Sequence, residues 1–288
     1  MSKSGSTNKI IDEKEMSFLD HLEELRWHIV RSVIAIIVFT ILAFIYAPEI
    51  FNSIIFAPSR IDFPTFKWLC KLGEMTGSTT QLCVKPFPFK IQSRYMTGQF
   101  TMQVMASFVI GFIVAFPYFF WEIWRFVKPG LQFNEYKSSR GAVFAVSFLF
   151  FLGVSFGYFI LCPLMTWFFS SYSISPAIVN EFDITSYVST FTALVFGSGV
   201  LFQLPVAVYF LSHIGMLTPK FMRQYRRYAI IVILIIGAIV TPPDPISQVM
   251  ISMPLFLLYE ISILISARVE RKKRKQELRE QKAEESLS

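Results

Sequence analysis

Long uninterrupted runs of apolar residues constrain this sequence more than any other feature. Crossing the roughly 30 Å hydrocarbon core of a bilayer takes about 20 helical residues. Four segments meet that length when their flanks are included: residues 30–46, 100–124, 142–169 and 187–211. The chain is 53% hydrophobic and only 16% charged, whereas soluble domains are about 25% charged. These features predict an all-α integral membrane protein and not a soluble enzyme.

Two further apolar segments, residues 228–240 and 249–266, are shorter. The first covers only about 20 Å as a helix before the run Thr241-Pro242-Pro243-Asp244-Pro245, which must break any helix. Six transmembrane helices with a short fifth and sixth are therefore predicted. A re-entrant hairpin, a locally thinned bilayer and a buried helical hairpin all fit such a pair. Basic residues on both flanks favour a thinned, membrane-spanning pair.

The distribution of lysine and arginine predicts the orientation. The short loops at residues 125–140 and 212–227 carry four such residues each, and the tail after Ser266 carries eight. The short loops at 163–186 and 241–247 carry none. The positive-inside rule therefore places both termini in the cytoplasm. Because the net charge of +7 follows this alternation, it indicates topology and not nucleic-acid binding.

We expect a single membrane domain over residues 16–267, with its first outer loop at 47–98. A flexible polar N-terminus at 1–15 and a charged cytoplasmic tail at 268–288 flank it. Apolar residues just before the first span recur at helical spacing, which predicts an amphipathic helix lying at the cytoplasmic interface. They are Phe18, Leu19, Leu22, Leu25 and Ile29.

The sequence offers little for catalysis. No phosphate-binding GxxxxGK[ST] motif occurs, and the cysteines and histidines lack metal-site spacing. Ser198, flanked by glycines, could serve an intramembrane protease with His213 as its base, but small residues in membrane helices are usually packing surfaces. His21 and His28 are interpreted as surface residues. No catalytic residue, metal or cofactor is therefore predicted.

Charged and polar groups near the membrane are more informative. Glu24 and Arg26 lie directly before the first span and Glu135 lies in the first cytoplasmic loop. Each alone is a solvated charge, but the two carboxylates together suit recognition of a guanidinium group. Gln203 and Glu260 fall at membrane depth, where polar groups are costly, although Glu260 could also reach the surface. Both could line the path of a secondary transporter, an alternative weakened by the absence of an internal repeat.

Five sequence blocks resemble the TatC family, the large multispanning subunits of the twin-arginine protein translocase, and occur in that family's order. The most specific are HLEELR before the first span and TPPD before the sixth. The blocks lie at residues 18–26, 56–58, 121–135, 202–207 and 241–248. The resemblance implies a receptor for folded cargo with an Arg-Arg signal peptide, driven by the proton-motive force. It assigns signal-peptide binding to Glu24, Arg26, Phe126 and Glu135.

The same resemblance implies partners. It assigns docking of small single-span subunits of the TatA or TatB type, or a mechanistic role, to Gln203, Thr241, Asp244 and Gln248. In many relatives a buried glutamate occupies the position of Gln203, so a titrating carboxylate is missing here. Self-association in a complex is also implied. The expected location is the bacterial cytoplasmic membrane, with thylakoid and mitochondrial inner membranes left open.

The first outer loop is longer than usual for the family and contains Cys70 and Cys83. An outer loop faces an oxidising space in many bacteria, where disulfides form and persist. A Cys70–Cys83 disulfide is therefore expected, with two free thiols as the alternative.

Overall fold

A computed structural model describes residues 18–76, 83, 89–127, 141–175, 177–240 and 245–285 of the chain. Most of them are helical, and two three-residue strands pair with each other. The helices are α1 Phe18–Ile45, α2 Ala47–Ile50, α3 Pro64–Thr76, α4 Gly98–Val127, α5 Ala142–Phe156, α6 Cys162–Ser171, α7 Ile184–Leu201, α8 Leu204–Ile214, α9 Pro219–Gln224, α10 Arg226–Val240 and α11 Pro245–Glu285. The strands are β1 Lys90–Gln92 and β2 Glu181–Asp183.

The predicted all-α membrane fold is confirmed. Five helical segments among the described residues are long and apolar enough to cross a membrane. They are Glu23–Ile45, Gly98–Phe126, Ala142–Ser171, Ile184–Ile214 and Gln248–Lys275. Helix α10 has 15 residues, a length of about 22 Å, so the predicted fifth segment is indeed short.

Helices α1 and α4 form a long antiparallel pair. Near one end, the His28 side chain meets Glu122, and near the other the Gln103 amide donates to the Phe44 carbonyl over 3.3 Å. At Gly111 the backbones approach so closely that a Cβ would lie 2.6 Å from the Thr40 nitrogen. Because α1 is one continuous helix of 28 residues, the predicted amphipathic segment is its first part and not a separate helix.

Two of the membrane segments bend in the middle. A π-helical turn at Gly157–Leu161 joins α5 to α6, and a turn at 202–203 separates α7 from α8. Each bend precedes a proline, Pro163 or Pro205, whose missing N–H and ring disfavour a regular helix. Small residues allow the two segments to pack closely, because Ser198 of α7 donates to the Gly153 carbonyl of α5 over 2.8 Å.

Helices α10 and α11 lie against each other beside the main bundle. The Gln248 amide of α11 donates to the Leu234 carbonyl of α10 over 3.1 Å. Helix α11 contains Pro254 and continues through the charged residues to Glu285, a total of 41 residues. The prediction of a short sixth helix therefore holds only for its apolar part.

The bundle has two chemically different ends. We call the end that carries the start of α1, the end of α4, helix α9 and Arg226 the basic end. The other, the sheet end, contains α3 and the parallel β1–β2 pair, in which Ile91 lies opposite Phe182. Here Cys70 of α3 is bonded to Cys83, and Asp183 caps α7 by accepting the Thr185 N–H over 2.8 Å.

The core lies between the bent segments and α11. Its most buried apolar side chains, each at most 2% exposed, include Ile55, Phe150, Leu161, Val188, Leu194, Ile251, Leu255 and Ile263. Many other large apolar side chains are exposed, among them Ile34, Ile41, Phe148 and Leu257. On a membrane protein such exposed positions face lipid, which is as apolar as the core.

Candidate functional site

The predicted recognition residues of α1 lie at the basic end and are open to solvent. The Glu24 side chain is 40% exposed and that of Arg26 is 66% exposed. Arg26 is 3.5 Å from Glu23, one turn earlier, and its guanidinium lies 5.8 Å from the centre of the Trp27 ring. Among the described residues, the basic group within 4 Å of the Glu24 carboxylate is the His28 imidazole, whose Nε2 lies 3.8 Å away. The Glu24 carboxylate is therefore not neutralised by the neighbouring arginine.

Phe126, predicted as a further recognition residue, lies at the end of α4 beside the same histidine. Its ring centre is 6.4 Å from that of His28 and the two rings are tilted by 59°. The structure thus places both Glu24 and Phe126 near one imidazole. Glu135 follows α4 in the chain and lies outside the described residues.

His28 and Glu122 form a buried pair between α1 and α4. His28 is 6% exposed and Glu122 is 1% exposed, and the imidazole Nδ1 is hydrogen-bonded to a Glu122 carboxylate oxygen. The Tyr118 hydroxyl also hydrogen-bonds to this carboxylate, and the positive charge of Arg31 attracts it. The prediction that His28 is a surface residue is wrong, and the importance of Glu122 was not predicted at all.

Helical register could have indicated the burial of His28. The buried positions of α1 after Glu24 recur as His28, Ser32, Ile36 and Ala43, a spacing of four or seven residues that marks one helix face. A histidine and a serine on that face suggested a polar contact with another helix. Only the fold, however, shows that the partner is 94 residues away.

Gln203 lies at the bend between α7 and α8. Its amide nitrogen donates to the Val146 carbonyl of α5 over 3.3 Å, whereas its buried Oε1 has no hydrogen-bond partner. The buried Ser147 hydroxyl, next to Val146 in the chain, has none either. The Gln203 oxygen and the Ser147 hydroxyl can therefore each still form a hydrogen bond. Leaving such groups unsatisfied in a membrane core costs free energy.

The other polar group predicted at membrane depth, Glu260, pairs with Arg226 of α10 over 2.8 Å. Its second oxygen is buried and has no hydrogen bond, while the side chain as a whole is 34% exposed. This pairing near the basic end favours the surface-reaching interpretation of Glu260. Of the predicted partner residues, Gln248 joins α10 to α11, and Thr241 and Asp244 lie outside the described residues.

The geometry favours the packing interpretation of Ser198. Ser198 is 1% exposed, and its single hydroxyl proton is shared between the Gly153 and Val195 carbonyls, which lie 2.8 and 3.0 Å away. A hydroxyl engaged in this way is not prepared for nucleophilic attack. In the part of the chain that the structure describes, no three His, Cys, Asp or Glu residues are grouped as metal ligands.

This fold and site define a multispanning α-helical membrane protein with an exposed carboxylate and aromatic site at its basic end. The family model of the Sec-independent protein translocase protein TatC matches residues 20–254. The chain therefore belongs to the TatC family, whose members are translocase receptor subunits and not enzymes.

Individual relatives agree over nearly the whole chain. The TatC protein of Blattabacterium sp. subsp. Periplaneta americana is 40% identical, over 91% of this chain and 99% of its own. TatCy of Bacillus subtilis is 31% identical, over 91% and 92%. A crystal structure of the twin arginine translocase receptor TatC superposes with a TM-score of 0.67 at 28% identity, over 87% and 99%. Family membership removes the basis for the transporter and protease alternatives.

Proposed function

We propose that this protein is the receptor subunit of a twin-arginine translocase in a bacterial cytoplasmic membrane, with both termini in the cytoplasm. It binds the Arg-Arg signal peptide of a folded cargo protein, and the proton-motive force drives export. The observation that carries this proposal is the half-exposed Glu24 carboxylate, which no arginine or lysine among the described residues neutralises. A carboxylate in this state can accept two parallel hydrogen bonds from a guanidinium group.

Glu24, Arg26, Phe126 and Glu135 form the proposed binding surface. Glu24 and Glu135 each hold one arginine, and the half-buried Phe126 ring offers a flat surface on which a guanidinium can stack. Arg26 repels a misplaced basic residue and so contributes to register. Lysine is a poor substitute in the peptide because it lacks the planar fork of donors.

The proposed partners are small single-span subunits of the TatA or TatB type. They dock along α10 and α11, including Gln248, at Thr241 and Asp244 in the segment between these helices in the chain, and at the bend near Gln203. The unsatisfied Oε1 of Gln203 supports this assignment, since it can accept a hydrogen bond from a partner helix. Self-association of the receptor in the assembled translocase completes the proposal.

The test is site-specific photocrosslinking from positions 24 and 135 to an Arg-Arg signal peptide, with a Lys-Lys peptide as the control. Export is measured in parallel for Glu24→Ala and Glu135→Ala. Removing one partner of such a charge-assisted contact costs about 2–5 kcal/mol, so export of the Arg-Arg cargo should be abolished.

Glu270→Ala is the matched control, because Glu270 is an exposed carboxylate on α11 that is not among the proposed binding residues. It should export cargo like the wild type. Unchanged export in Glu24→Ala, in Glu135→Ala and in the double variant would refute the proposed site.

A further inference from the structure

The buried contact between His28 and Glu122 joins the two helices that carry the proposed recognition residues. The Glu122 carboxylate is only 1% exposed. A buried carboxylate destabilises a protein unless a hydrogen-bond donor or an opposite charge accompanies it. The imidazole Nδ1 supplies that partner from a position 94 residues earlier in the chain. This contact therefore fixes the α1–α4 packing at the basic end.

The same imidazole also faces the recognition surface. Because Nδ1 is engaged with Glu122, the ring has one orientation, and its Nε2 lies 3.8 Å from a Glu24 oxygen. The ring centre is 6.4 Å from that of Phe126. The Ser32 hydroxyl donates to the His28 carbonyl over 2.9 Å and supports the helix at this turn. A substitution of Glu122 would therefore shift the His28 ring and, through it, the positions of Glu24 and Phe126.

We propose that His28 and Glu122 are positioning residues for signal-peptide recognition. Their contact holds the Glu24 carboxylate on α1 and the Phe126 ring on α4 at the separation that a bound guanidinium requires. Neither residue contacts the peptide, because both are buried. This inference rests on the proposed function and assigns the support behind its binding site.

Loss of the contact should weaken peptide binding. Without Glu122 the imidazole is free to turn, and Glu24 and Phe126 lose their common support. We expect an affinity loss on the order of tenfold, by analogy with the loss seen when a hydrogen-bonding partner behind a metal ligand is removed. Glu122→Gln keeps an acceptor for the Nδ1 proton and should bind within about twofold of the wild type.

The experiment measures the affinity of the purified full-length protein for a fluorescent Arg-Arg signal peptide, with a Lys-Lys peptide as reference. The variants are Glu122→Ala, Glu122→Gln and the exchange of the two residues, His28→Glu with Glu122→His. Ser212→Ala is the structural control. It removes another buried interhelical hydrogen bond near the basic end, the 2.8 Å contact between the Ser212 and Ser266 hydroxyls.

The expected result is a roughly tenfold loss in Glu122→Ala, near-normal affinity in Glu122→Gln, and unchanged affinity in Ser212→Ala. If Glu122→Ala does not accumulate, the exchange variant takes its place and should recover binding relative to His28→Glu alone. Wild-type affinity in Glu122→Ala, an equal loss in Ser212→Ala, or no recovery on exchange would overturn the inference. Equal binding of the two peptides by the wild type would overturn the proposed function, and this inference with it.

Discussion

The close packing of the π-helical turn at Gly157–Leu161 against α7 predicts a large effect of one added methyl group. A Cβ at Gly157 would lie 2.8 Å from the Leu194 carbonyl oxygen and 2.9 Å from the Val195 Cα, and it would also overlap the Ser198 hydroxyl. Carbon atoms pack best at about 3.5–4.0 Å. Gly157→Ala therefore forces the two segments apart by roughly 1 Å, because the obstructing α7 atoms include backbone.

The magnitude follows from two contributions. Overpacking a close contact of this kind costs about 1–3 kcal/mol. The displaced Ser198 hydroxyl also loses its 2.8 Å hydrogen bond to the Gly153 carbonyl, and hydrogen bonds between membrane helices average about 0.6 kcal/mol. We expect Gly157→Ala to lower the free energy of unfolding by about 2–4 kcal/mol.

The measurement is reversible unfolding of the purified protein in mixed micelles, followed by circular dichroism. Gly141→Ala is the control, because a Cβ at Gly141 meets no atom within 4 Å, and its stability should remain within about 0.5 kcal/mol of the wild type. If Gly157→Ala were as stable as Gly141→Ala, the two segments would not be in the contact described above.

Two further predictions concern the sheet end. Under non-reducing conditions, alkylation of the unfolded protein should modify Cys162 but neither Cys70 nor Cys83. Two alkylated loop thiols would exclude the disulfide. Cys70→Ser should destabilise the fold by up to about 3 kcal/mol, because the unfolded chain regains the entropy that the closed loop removes. Hydrogen bonds from Thr185 and the Arg94 N–H lower the pKa of Asp183 below its ordinary value of 3.8, so its stabilisation is present above that pH and is lost as the pH falls through the lowered pKa. Asp183→Asn should flatten this acid-side loss in thermal unfolding.

Hydropathy predicted the membrane segments because a span must be apolar for its whole length. The short α10 followed from the same reasoning, since the proline run at 241–245 limits the length of the apolar segment before it. The length of α11 did not follow. Hydropathy indicates where the membrane-spanning part of a helix ends, not where the helix itself ends. The Lys, Arg, Glu, Gln and Ala residues beyond Ser266 are strong helix formers and continue the helix.

The candidate site was predicted only in its exposed part. Glu24 and Arg26 were found because charged residues next to a span are conspicuous. His28 was missed because it was assigned to the amphipathic segment before the first span, although the spacing of the buried positions on α1 marks its helix face. Glu122 was missed because it lies close to the end of its span, where charged residues are common. Their contact joins residues 94 positions apart, and a single sequence contains no measure of that proximity.

Helix α11 has a geometric consequence for whatever approaches the basic end. Its 41 residues give a length of about 62 Å, roughly twice the thickness of the hydrocarbon core. About half of the helix must therefore project from the bilayer as a stiff rod. Its tip lies farther from the membrane surface than the Debye length of about 8 Å, so salt screens the charges at the tip from those at the surface. Any bulky globular domain that approaches the basic end has to fit beside this rod, so α11 limits both its diameter and its direction of approach.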